Sequence, residues 1–99
     1  MEPSYMTLAV GKSLRIANEG GRDHTFTEVA NYGGGRVGGF NVGLVPAPEC
    51  ALAAGAVDPK LVKPDEELEV SGLTVGLHKF QCCFHPWMRA AIRVELKHP

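Results

Sequence analysis

The chain has no long apolar run. No stretch approaches the ~20 consecutive apolar residues that a membrane-spanning helix requires, so no segment is expected to cross a bilayer. It also lacks an excess of either charge. Ten Lys and Arg stand against 11 Asp and Glu, a formal net charge of -1, which offers no electrostatic attraction for nucleic acid or an anionic membrane. Any docking surface should therefore be mainly apolar. No stretch carries a helical repeat of apolar positions. The opening Met1-Glu2-Pro3-Ser4 lacks the basic and then apolar segments of a secretory signal, which fits a cytosolic protein or one whose signal lies outside this chain. Paired carboxylates and nucleophile–base sets are missing as well, so no enzymatic activity is expected. Cysteine is scarce and its count is odd: three residues allow one disulfide and leave one thiol free for chemistry.

The remaining composition is that of an ordinary globule, 44% apolar and 21% charged. A chain of 99 residues is long enough for one core and is expected to form a single domain over 1–99. Gly and Pro interrupt it every few residues, and apolar positions between them alternate with period two. Leu14 and Ile16 alternate with Ser13 and Arg15, and Leu68 and Val70 with Glu67 and Glu69. In the last such stretch Ala90, Ile92, Val94 and Leu96 share one face. Strands are predicted over Tyr5–Val10, Ser13–Asn18, His24–Val29, Leu61–Val62, Glu67–Val70, Leu77–Cys82 and Arg89–Leu96. About seven short strands in a chain of this length predict an all-β Greek-key β-sandwich. Between Ala30 and Pro59 the pattern breaks into a long Gly/Pro-rich excursion, with a short helical turn expected near Cys50–Ala54.

Chemistry concentrates in Cys82-Cys83-Phe84-His85-Pro86-Trp87-Met88, where a thiol, an imidazole and a thioether follow at three-residue spacings. A soft thiolate stabilises reduced copper, while imidazole nitrogens also suit the oxidised ion; two His, one Cys and a distant Met meet both needs. The second imidazole must come from another strand. His24 opens the strand Thr25–Val29 after the turn 18–23, and alternation sets it on the inward face with Phe26. The candidate ligands are thus His24, Cys82, His85 and Met88. Parity separates the adjacent cysteines: Cys82 shares the inward face with His78 and Phe80, whereas Cys83 shares the outward face with Lys79 and Gln81. There the excursion carrying Cys50 could pass over it, giving a Cys50–Cys83 disulfide and leaving Cys82 as thiolate.

The stretch Phe80 to Arg89 resembles the ligand loop of the small blue-copper proteins, the cupredoxins, and is most similar to the short loop of the amicyanin type. The resemblance extends to Asn18, to His24-Thr25-Phe26 and to Gly72-Leu73 through His78-Lys79-Phe80, and leaves Tyr32 to Pro59 unmatched. It implies His24 and His85 as imidazole ligands, Cys82 as thiolate, Met88 as weak axial donor, and electron transfer by one copper ion in an oxidising compartment, periplasmic or secreted. Two positions depart from it. Cys83 stands where Ser or Thr often braces the site, and Thr25 where Asn is frequent.

Each feature also has a simpler reading. A lone His is more often structural than a ligand, a buried Cys often packs as a small hydrophobe, and a lone Met usually fills a core. The combination carries the argument. His78 reads as structural and His98 as solvated; Glu66, Glu67 and Glu69 read as a solvated strand edge. Gly33, Gly35 and Gly38 satisfy G-x-G-x-x-G, but no helix can open where Pro46 and Pro48 follow, so the tract reads as a loop. Structural zinc would want four strong donors, and a thioether is a poor one. The expected function is mononuclear blue-copper electron transfer in a monomer, with His85 reaching toward the surface as the electron's exit. A redox partner protein would dock near His85, Pro86 and Trp87, on a patch extended by Val37, Phe40 and Leu44. The alternatives are a copper carrier or resistance protein using the same ligands, and a metal-free interaction module.

Overall fold

Alternation predicts strands with one apolar face, and the computed structural model, which describes residues 3–41, 43–52 and 56–96, shows how those faces meet. Among the described residues eight strands form: β1 (Ser4–Ala9), β2 (Leu14–Ala17), β3 (His24–Thr25), β4 (Thr27–Val29), β5 (Leu61–Val62), β6 (Glu67–Val70), β7 (Gly76–Gln81) and β8 (Arg89–Glu95). The described residues contain no α-helix, only 3-10 turns at Gly38–Phe40 and Pro48–Cys50. The second ends at Cys50, where the turn expected over Cys50–Ala54 was to begin; Ala51 and Leu52 are not helical, and Ala53 and Ala54 lie outside the described residues.

One sheet runs in the order β1-β8-β7-β4, with β1 parallel to β8 and the other pairs antiparallel. β2 pairs with β6, and β3 with β5. The apolar faces of the first two sheets close on each other. Val70, Phe80, Ile92 and Val94 form the buried centre, flanked by Leu8, Leu14, Ile16, Phe26 and Leu68. Because these side chains come from β1, β2, β6, β7 and β8, the arrangement is an all-β sandwich, as the alternation implied. Leu96 falls just past β8 and is exposed, so the predicted apolar face ends at Val94.

The predicted strand from His24 to Val29 is divided at Phe26. Before the break the chain pairs with β5, and after it with β7. Phe26 itself bonds through its N–H to the Lys60 carbonyl and stacks on Phe80, with ring centroids 4.3 Å apart. One continuous stretch therefore changes sheets and carries His24 to the same end of the sandwich as Cys82.

The excursion builds a second, smaller core on the outer face of β4 and β7. Val29, Ala47, Cys50 and Cys83 are buried there, with Tyr32 packed against them. The disulfide Cys50–Cys83 crosses this layer, joining backbones whose Cα atoms are 5.4 Å apart. Cys83 does face away from the main core, as parity requires, yet it is fully buried because the excursion covers it. Arg36 anchors the same segment: its side chain pairs with Asp58 at 2.6 Å and donates to the Cys50 carbonyl. Its backbone N–H donates to the Cys83 carbonyl.

The glycine tract acquires a structural role here. A side chain added at Gly35 would collide with the Cys83 carbonyl, so the strap can lie against the cysteine segment only because that residue has no Cβ. Gln81, fully buried, locks the strap in place by accepting from the Gly33 N–H and donating to the Gly33 and Gly34 carbonyls.

Candidate metal centre

The turn before His24 is shaped by Asn18, which is buried. Its amide donates to the Arg22 and Val62 carbonyls, and its side-chain oxygen accepts from the Gly20 N–H. These bonds fix where β3 begins and hence where the His24 ring sits. At the other side, β7 stops at Gln81, one residue before the predicted end, and Cys82 starts a tight loop. That loop is closed by its own backbone: the Cys82 N–H donates to the Met88 carbonyl at 3.0 Å and the Met88 N–H to the His85 carbonyl at 2.8 Å.

The structure brings together His24, Cys82 and His85. Cys82 Sγ lies 3.7 Å from His24 Nδ1 and 3.5 Å from His85 Nδ1, and the donor atoms of the three residues all fall within 4.8 Å of one another. Cys82 is buried and free of any disulfide. Met88 follows its predicted neighbours in the loop, but its side chain is 43% exposed. It lines a cavity together with Cys82 and Trp87.

His85 does not protrude as expected: it is only 8% exposed. Trp87 stands 5.3 Å from its ring and Phe40 6.2 Å, with Phe40 and Trp87 edge to face at 5.1 Å. Phe40 reaches this position from the first 3-10 turn of the excursion. Pro86, expected on the docking surface, is fully buried instead. The exposed apolar residues around the site are Trp87, Phe40, Val37 and Met88, whereas Leu44 is half-buried. Burial pushes the His85 imidazole below its ordinary range, with smaller contributions from the charges of His24 and Arg22. It is thereby held in the neutral form that can donate an electron pair to a metal.

Thr25, which stands where the blue-copper proteins often have Asn, braces the cluster. Its N–H points at Cys82 Sγ at 3.5 Å, and its hydroxyl oxygen accepts from the Cys83 N–H at 2.8 Å while Thr27 donates to it at 3.0 Å. One residue thus ties the strand bearing His24 to the segment bearing Cys82. Its signal in the sequence was adjacency to the predicted ligand His24. His78, read as structural, bonds Glu28 and the Thr74 carbonyl. His98 lies outside the described residues.

The two-layered β scaffold that carries this cluster is similar in fold to cupredoxins of known structure. A purple cupredoxin from Nitrosopumilus maritimus superposes with a TM-score of 0.59 at 14% identity, over 92% of this chain and 77% of that one. A reduced proline-to-phenylalanine variant of amicyanin gives 0.60 at 21% identity, over 92% and 69%. A Cu(I) methionine-to-alanine variant of amicyanin gives 0.61 at 19% identity, over 95% and 71%. In sequence alone, no family model and no curated protein matches the chain.

Proposed function

We propose that the chain is a single-domain copper protein that carries electrons one at a time, holding the ion through His24, Cys82 and His85 with Met88 as a weak axial donor. The observation that carries this reading is the separation of the donors. Metal bonds of about 2.05 Å to nitrogen and about 2.3 Å to sulfur place N and S about 3.6 Å apart at a tetrahedral angle and about 3.8 Å apart at a trigonal one. The two N–S separations here are 3.7 and 3.5 Å, so an ion fits between the donors with little movement. The donor set of one thiolate and two imidazoles with a thioether nearby suits copper, and one of the amicyanin structures of similar fold is described as its Cu(I) form.

Bound copper would supply the one-electron step between Cu(I) and Cu(II). The chain's own residues do the rest. Cys82 would offer the ion a soft thiolate, and the Thr25 N–H directed at that sulfur would temper its charge. Two hydrogen-bonded segments and the disulfide hold the donors still, so little rearrangement should accompany a change of charge. His85, in contact range of Trp87 and Phe40, links the centre to the exposed apolar patch where a redox partner protein would dock weakly. We therefore propose electron transfer rather than an enzymatic activity.

The 8% exposure of His85 favours this reading over a copper carrier or resistance protein, because a ligand covered by two aromatic rings is poorly placed to hand its metal to an acceptor. The Cys50–Cys83 disulfide favours an oxidising compartment, periplasmic or extracellular. Among the described residues no helix is long and apolar enough to cross a membrane. We take the functional unit to be a monomer. Copper added to the purified protein should produce intense visible absorption from thiolate-to-copper charge transfer, together with a paramagnetic signal from the oxidised ion. Cys82→Ser should abolish the absorption. A colourless wild-type protein would overturn the reading and leave a metal-free interaction module.

A further inference from the structure

β1 stands at the end of its sheet, paired with β8 on one side only. Just beyond that ladder the Val10 N–H donates to the Glu95 carbonyl at 2.7 Å. Backbone groups of alternate residues in a strand point the same way, so Ser4, Met6 and Leu8 turn theirs toward β8, while Tyr5 and Thr7 turn theirs to the open edge. The Ala9 carbonyl, also on the edge side, is taken by the Lys12 N–H. Among the described residues nothing outside the sheet bonds the backbone of Tyr5 or Thr7. Strand edges are ordinarily guarded by a charge, a proline, a bulge or a covering segment. Ser4-Tyr5-Met6-Thr7-Leu8-Ala9 contains neither charge nor proline, and its register with β8 runs from Ser4 to Ala9 without a bulge. Tyr5 is 76% exposed and Met6 46%.

The two faces beside this edge differ in chemistry. On the inner face Met6 pairs with Ile92 of the main core and shares its side with Leu8, so its exposure marks a place where the sandwich is left open. On the outer face Tyr5 and Thr7 stand opposite Ala91 and Arg93, with Leu77 and Lys79 on the next strand. Lys79, Arg89 and Arg93 share that face, whereas Glu95 is the one acidic residue of β1, β7 and β8. None of the three cations belongs to the ion pairs found among the described residues, which join Arg15 to Glu67, Arg36 to Asp58 and His78 to Glu28. We propose that β1 is a docking edge for an extended segment of a partner protein in which acidic and apolar residues alternate. Its backbone would bond the free groups of Tyr5 and Thr7, its apolar side chains would cover Met6, and its acidic ones would face Arg93 and the basic outer surface. Charge complementarity selects this occupant over a second copy of the chain, whose own β1 has no acidic side chain and would lay a second basic face beside the first.

The test titrates the isotope-labelled protein, with and without copper, with a blocked synthetic peptide of about eight residues that alternates glutamate with valine. Saturable shifts of the Tyr5 to Leu8 amides are expected, with slowed hydrogen exchange at Tyr5 and Thr7 and binding that weakens at about 0.5 M salt. A peptide of the same composition with its glutamates and valines in two blocks should not bind saturably. Nor should the alternating peptide N-methylated throughout, which keeps its charge and loses its donors. Thr7→Pro removes an N–H from the edge and none from the ladder with β8, so the folded variant should lose binding. Arg93→Glu should weaken binding at least about fivefold, whereas Arg15→Glu, on the other sheet, should leave it unchanged. Equal binding of either control peptide, undiminished binding by a folded Thr7→Pro or Arg93→Glu, or no saturable binding would each overturn the proposal. Self-association of the chain through β1, seen by sedimentation, would also overturn it, since the occupant is then a second copy. Peptide binding does not depend on copper, so a colourless protein that still binds the peptide sinks the copper reading and leaves the docking edge standing.

Discussion

Thr25 shows how much can rest on one side chain of ordinary appearance. Its hydroxyl satisfies the buried N–H of Cys83, and its own N–H is directed at the sulfur of Cys82. Valine has nearly the same shape but no acceptor, so Thr25→Val leaves a buried donor unpaired. The expected cost is about 1–3 kcal/mol, read from the shift in urea midpoint at unchanged slope. The same variant should shift the reduction potential of the copper-loaded protein, because the strand carrying the N–H that faces the sulfur is no longer tied to the cysteine segment. A variant of wild-type stability and potential would mean that the two strands are held by other contacts.

His78 offers a pH dependence at the same scale. Its hydrogen bond to Glu28 is the main cause that raises its pKa above the ordinary value of 6.5, and its bond to the Thr74 carbonyl adds to this against the opposing effect of burial. The folded protein therefore holds the proton more tightly than the unfolded chain. This contribution to stability is fully present below about pH 6.5 and is lost as pH rises through the raised folded value. Proton titration of the His78 ring by NMR should give a midpoint above 6.5. His78→Gln should lower stability at pH 5.5 more than at pH 9; an equal loss at both would show that the pair is uncharged.

At the scale of elements, the excursion decides how the site is covered. It is pinned by the disulfide, by Arg36 with Asp58, and by Gln81 against the glycine strap. The bond between Cys50 and Cys83 closes a loop with a sequence separation of 33, and its loss should cost roughly 3–4 kcal/mol through the freedom regained by the unfolded chain. The double variant Cys50→Ala with Cys83→Ala measures this by denaturant unfolding. Gly35→Ala acts on the same layer from the opposite direction. Its Cβ has no room beside the Cys83 carbonyl, a backbone atom that cannot rotate away, and a destabilisation of about 1–3 kcal/mol is expected. Were that variant as stable as the wild type, the strap would have to sit further from the cysteine segment.

For the whole molecule, metal and fold are linked. An ion that binds the assembled donors and not the unfolded chain stabilises the protein by mass action, by about 4 kcal/mol at a thousandfold excess over the dissociation constant. Copper should therefore raise the thermal midpoint of the wild type, and His24→Ala should remove most of that increase while changing the metal-free midpoint little. An equal rise in both proteins would place the ion elsewhere. Trp87, Phe40, Val37 and Met88 are exposed, and if the proposed redox partner docks over them, charge introduced at Val37 should slow electron exchange without altering the copper absorption; unchanged exchange would move the docking face elsewhere.

Strand positions and the facing of Cys82 and Cys83 were legible in the linear chain because side chains in a strand alternate, and alternation survives whatever the strand packs against. The same rule pointed to His24 and Cys82, while His85 was legible from its three-residue spacing after Cys82 in the loop. Other features depended on contacts between residues far apart. The change of sheet at Phe26 reflects competition between β5 and β7 for one stretch of backbone. The burial of Pro86, the covering of His85 by Phe40 and the bracing by Thr25 follow from how the excursion and ligand loop settle on the sandwich. Which donors exist was written in the residues; how far apart they stand, and what shields them, was set only when distant segments closed on one another, because neither distance nor burial is a property of a single stretch of chain.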